Sequence, residues 1–80
     1  MKKAKEMFEK LGYKYNCDYL YGIGEDKTYE NNEHMIRFYS SIESYGIQFY
    51  VYDQSGYVEI SPKVLKAINK QVEELGWSHE

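Results

Sequence analysis

Cysteine, histidine, net charge and long apolar runs are all scarce in this chain, and each scarcity closes off a class of protein. Cys17 is the single cysteine, so no intramolecular disulfide is possible, as suits a reducing cytoplasm. No run approaches the ~20 apolar residues that a membrane-spanning helix needs, so no membrane segment is expected. The opening MKKAKEMFEK carries lysines without an apolar stretch behind them, which is not the pattern of a signal peptide. Net charge is only −3, from 10 basic and 13 acidic side chains. That is too mild for a DNA mimic and has the wrong sign for general nucleic-acid binding.

Catalytic and cofactor signatures are equally thin. Gly22-Ile23-Gly24 is followed by no Lys-Ser or Lys-Thr and is not a phosphate loop. Residues Glu25, Asp26, Glu30, Asn31, Asn32 and Glu33 offer oxygens, but without the alternating spacing and central glycine of a calcium loop. Cys17, His34 and His79 contain the elements of a nucleophile and a base, yet no third group is placed to orient a histidine, so Cys17 reads as a packed thiol. The chain is expected to be no enzyme, with no cofactor and no metal.

Tyrosine is abundant, at 10 of 80 residues. Its ring packs while its hydroxyl stays wet, which suits a half-exposed strand. Eighty residues make one domain, 1–80, that buries only about 60% of its unfolded surface, leaving little room for an enclosed site. Charge is unevenly spread. Residues 12–60 carry three basic and eight acidic side chains, a net of −5, whereas residues 1–11 carry a net of +2. An electrostatic partner of the central segment is therefore expected to be basic.

The clearest element runs from Ser61 to Trp77. Ser61 is a good N-cap, and Pro62 falls at N1, where its missing N–H costs nothing. Leu65, Ile68, Val72 and Leu75 form an apolar stripe, widened by Val64 and Ala67. Lys66, Asn69, Lys70 and Glu73 make a solvated face. Gly76 and Trp77 supply the glycine and apolar residue of a Schellman stop. Residues 2–11 read as a first helix with Ala4, Met7, Phe8 and Leu11 on one face, stopped the same way by Gly12 and Tyr13.

Between the helices, period-two alternation marks strands. Tyr13–Tyr21 is expected as the first, with Tyr13, Tyr15, Cys17, Tyr19 and Tyr21 on one side. Gly22–Glu33 reads as a loop. His34–Ser41 is a second strand, with Ile36 and Phe38 opposite Met35, Arg37 and Tyr39. A turn near Glu43–Gly46 follows. Ile47–Tyr52 is a third strand, with Ile47, Phe49 and Val51 opposite Gln48, Tyr50 and Tyr52. Asp53–Gly56 is a turn, and Tyr57–Ile60 a short fourth strand placing Val58 and Ile60 in the core.

The order is α-β-β-β-β-α, an α+β fold in which short connections favour a four-stranded antiparallel meander with both helices on one face. The other face is then open and carries Arg37, Tyr39, Gln48, Tyr50 and Tyr52, joined by Tyr57. Tyrosines beside an arginine are the composition of protein-binding hot spots. The same side chains also suit stacking of unpaired bases, or plain cross-strand stabilisation of the sheet.

The pairing of AKEMFEKLGY (Ala4–Tyr13) with LKAINKQVEELGW (Leu65–Trp77), around a tyrosine- and acid-rich middle, resembles small proteins encoded by phages and prophages of low-GC Gram-positive bacteria. These motifs describe helix faces and caps, so the resemblance implies a setting and no catalytic residue. It implies a small accessory protein in a bacterial cytoplasm that binds a host or phage protein and modulates a host process or defence. Single-stranded nucleic-acid binding through the tyrosine face, and a structural subunit that self-associates, are the other readings.

Overall fold

The computed structural model describes residues 2–20, 24–52 and 59–77. Helix α1 (Ala4–Lys10) is followed by strands β1 (Lys14–Leu20), β2 (Gly24–Glu30), β3 (His34–Ser40) and β4 (Tyr45–Val51), and helix α2 (Pro62–Leu75) closes the series. The strands form one antiparallel sheet in the order β1-β2-β3-β4. Fold class, meander and element order are those expected from the sequence.

One strand is not. Gly24–Glu30 lies inside the segment expected to be a loop, yet it pairs with β1 along its whole length and with β3 through Asp26–Glu30. GEDKTYE has little strand propensity of its own. It is held by ladders on both sides and by Tyr29, which is 1% exposed. Its hairpin to β3 is shaped by Asn31, whose Oδ1 accepts from the backbone N–H groups of Glu33 (2.8 Å) and His34 (3.0 Å). The first half of the expected fourth strand at Tyr57–Ile60 falls outside the described residues. Glu59 and Ile60 are described and are not strand, and Ile60 is exposed. The sheet thus reaches four strands one element earlier in the chain.

Both helices end by the capping solution read from the sequence. Gly12 (φ 90°) and Gly76 (φ 72°) take the left-handed conformation that glycine adopts without strain. Their N–H groups donate to Glu9 and Glu73, and those of Tyr13 and Trp77 donate five residues back, to Phe8 and Val72. At the start of α2, the Ser61 hydroxyl accepts from the Val64 N–H at 3.2 Å. Helix α1 has no side-chain cap from Lys3. Its first N–H, on Ala4, donates instead to the Glu74 carboxylate at 2.7 Å. The acid near the C-terminus of α2 therefore sits against the positive end of α1, which offsets the unfavourable dipole of its own helix. The contact also makes the two helices antiparallel neighbours.

The core lies between the helices and one sheet face. Phe8 stacks on Tyr29 (4.0 Å, 18°) and meets Tyr13 edge-on (5.4 Å). Ile36, Phe38, Val64, Ala67 and Val72 complete it, each large buried side chain contributing about 1.5–3 kcal/mol. Coverage fades away from this centre. Tyr13 is buried and Tyr19, on the same side of the sheet, is 79% exposed. A helix of seven residues spans only about 10 Å and does not reach that end. On α2 the buried line is Val64, Ala67, Gln71 and Val72. Leu65, expected in the stripe, is 52% exposed, although Val72, two turns later on the same side, is buried.

Candidate functional site

The face opposite the helices is built by alternation on all four strands. The pairs Arg37↔Gln48 and Met35↔Tyr50 set the register between β3 and β4. Thr28↔Arg37, Asp26↔Tyr39 and Glu30↔Met35 set it between β2 and β3. Residues directly paired share a face. The five residues predicted for this face, Arg37, Tyr39, Gln48, Tyr50 and Tyr52, are therefore brought together. Tyr57 lies outside the described residues.

Arg37 is the hub. Its Nε and Nη2 donate to Asp26 Oδ2 at 3.0 and 2.6 Å, and its Nη1 donates to Gln48 Oε1 at 2.9 Å. The same Gln48 oxygen accepts from the Tyr50 hydroxyl at 2.9 Å. The guanidinium also lies 5.6 Å from the Tyr39 ring centre, within cation–π range. Tyr39 in turn lies across Gly46, where an added Cβ would come within 3.0–3.3 Å of its ring and hydroxyl. The glycine is what lets the ring lie flat on the backbone. At the far end, the Tyr52 hydroxyl donates to Glu30 at 2.7 Å. That hydrogen bond to a carboxylate holds the Tyr52 phenol pKa above its ordinary value.

The rings of Tyr50 and Tyr52 remain 43% and 51% exposed, although their hydroxyls are tethered. Large amphipathic rings are thus held in place on an accessible surface, which lowers the ordering cost of binding. Asp26 Oδ1 is buried and receives no hydrogen bond among the described residues, so half of this carboxylate is not engaged by the network. Asp26 and Glu30 were not expected at this face, because their segment read as a loop. The one local signal in that strand is Tyr29, its single large aromatic residue.

The two described catalytic candidates, Cys17 and His34, lie on different strands, β1 and β3. His34 is 4% exposed, bonded through Nε2 to the Tyr13 hydroxyl at 2.5 Å and stacked on Phe49 at 4.7 Å. Burial lowers its pKa, with Glu33 opposing. It serves as a core residue. Cys17 lies on another part of the sheet, paired across the ladder with Lys27, and His79 is outside the described residues. Among the described residues no group of three or more histidine, cysteine or carboxylate side chains is placed to hold a metal ion, and no helix is long and apolar enough to cross a membrane. In comparisons with known proteins, no family model, no curated protein and no solved structure matches the chain.

Proposed function

We propose that this protein is a non-enzymatic binding module that receives a basic segment of a protein partner on its open sheet face. The observation that carries this reading is the pair Tyr50 and Tyr52, exposed as rings yet fixed at their hydroxyls by Gln48 and Glu30. Tyrosine and arginine dominate interface hot spots, where large rings are buried at small entropic cost. The partner's charge follows from complementarity. The sheet segment, residues 12–60, carries a net of −5, and Asp26 already neutralises Arg37. A lysine- or arginine-flanked partner is drawn to such a surface, and acidic partners are repelled. Stacking of single-stranded nucleic acid fits less well, because the Tyr52 platform is bonded to an anion that would repel the phosphates. The resemblance to phage and prophage accessory proteins supports a bacterial host protein as the partner.

The test is a pull-down from nuclease-treated lysate of a Gram-positive host. The baits are the wild type and a Tyr50→Ala/Tyr52→Ala variant whose folding has been checked by circular dichroism. The captured protein is then titrated directly. It is expected to be lost from the double variant, to present a basic surface and to release as salt rises. Equal capture by both baits would exclude this face.

A further inference from the structure

The helix layer carries a second surface of opposite character. A cleft of about 430 Å³ runs along the seam of α1 and α2, lined by Lys2, Met7, Lys10, Leu11, Lys63 and Lys66. Met7 and Leu11 are half-buried and form an apolar floor, and the four lysines are exposed around it. Two further observations bear on these charges. The ion pairs among the described residues engage Lys27, Arg37 and Lys70, and none of the four cleft lysines. The Lys2 ammonium is also held below its ordinary pKa, first by direct contact with Lys10 and then by that neighbour's charge, with only Glu6 acting the other way. Like charges gathered on one surface raise the local concentration of anions.

We propose that this cleft binds a compact polyanion of nucleoside polyphosphate type, its phosphates among Lys2, Lys10, Lys63 and Lys66 and its flat ring over Met7 and Leu11. The volume falls within the ~300–1,000 Å³ of small-molecule sites. Lysines on flexible stems act as point charges rather than fixed forks, so selectivity is by charge count. A long nucleic-acid strand is disfavoured, because the basic surface is confined to one seam and the chain is acidic overall. Neither the sheet-face reading nor its partner is needed for this site.

The test titrates ATP, AMP and inorganic tripolyphosphate into the full chain, following backbone amide shifts by NMR at low and physiological salt. ATP is expected to bind at least about tenfold more tightly than AMP and to shift residues of the seam. Tripolyphosphate is expected to fall below ATP, for want of the ring. A Lys10→Gln/Lys66→Gln variant is expected to lose about tenfold, since each exposed pairing is worth up to a few-fold. Lys14→Gln, on the sheet, is the control and is expected to bind as wild type. Equal binding of ATP and AMP, an unaffected double variant, or shifts lying outside the seam would each overturn the proposal. So would binding seen only with a single-stranded oligonucleotide or with anionic phospholipid vesicles, run as parallel arms.

Discussion

Removing one oxygen atom from the core, by Tyr29→Phe, is expected to cost more than its size suggests. Tyr29 is 1% exposed and Gln71 3%, and the tyrosine hydroxyl donates to Gln71 Oε1 at 2.5 Å. Burial pushes the Tyr29 phenol pKa far above its ordinary value, so the group is a neutral donor at every practical pH. A phenylalanine keeps the stack on Phe8 and isolates the hydroxyl. What is lost is a net hydrogen bond of about 0.5–1.5 kcal/mol, and the amide oxygen is left buried and unpaired, a penalty of about 1–3 kcal/mol. A total of roughly 1.5–4.5 kcal/mol corresponds to a fall of at least roughly 6–12 °C in Tm for a domain of this size. Gln71→Leu strands the hydroxyl instead and is expected to cost a similar amount. The double variant, with both polar groups gone, is expected to lose less stability than the sum of the singles, by at least about 1 kcal/mol. Urea unfolding of the four proteins measures the cycle. A Tyr29→Phe variant as stable as wild type, or two losses that simply add, would refute the pairing.

Two further outcomes test the fold independently. A Cβ added to Gly24 would lie 1.8 Å from the Ser40 carbonyl oxygen, at a φ of +148°, so Gly24→Ala is expected to cost at least ~2 kcal/mol, whereas Gly12→Ala, with open space around it, costs only the ~1–2 kcal/mol of its left-handed backbone; equal Tm values for the two variants would contradict the close approach. The second outcome concerns acid. His34 has a folded pKa below its ordinary 6.5, first because of burial, so the unfolded chain binds the proton more readily and stability falls as pH drops through 6.5 toward the lower folded value. His34→Phe is expected to flatten the pH 7.5-to-5 slope of the urea midpoint; an unchanged slope would assign the acid sensitivity to other groups.

Sequence pattern reaches the structure wherever one physical demand dominates. Both glycine–aromatic stops, the Ser61-Pro62 start and the faces of β3 and β4 follow from local chemistry, and each is found in place. The pattern fails at β2, because Gly24–Glu30 is polar on both sides. One side faces solvent across the open sheet and the other runs past the reach of α1, so only Tyr29 needs to be apolar. A strand that owes its existence to its neighbours leaves little trace in its own residues. The same limit explains Gln71 and His34. Each is a buried polar residue whose partner, Tyr29 or Tyr13, is remote in sequence, so nothing local announces it. The candidate face was legible in its β3 and β4 half and missing in its β2 half, and with it the Asp26 carboxylate that fixes the hub arginine.

Charge completes the argument, because folding sharpens an asymmetry that the composition only hints at. Two of the four acids in the helices are engaged by other groups. Glu74 caps α1 and Glu73 pairs with Lys70, and among the described residues no ion pair engages the seam lysines. On the sheet, the hub arginine is bound to Asp26, which leaves the surrounding carboxylates in excess. The molecule therefore presents a tyrosine-bearing sheet face on one side and a lysine-lined seam on the other, with an apolar core between. At physiological ionic strength the screening length is about 8 Å, comparable to the thickness of one layer, so the charge of one face has little influence at the other. At low salt that separation fails, and the two faces of neighbouring molecules attract one another. Affinity measured for either face at low ionic strength alone would mix ligand binding with self-docking, and only binding that persists at physiological salt reports the chemistry of the site itself.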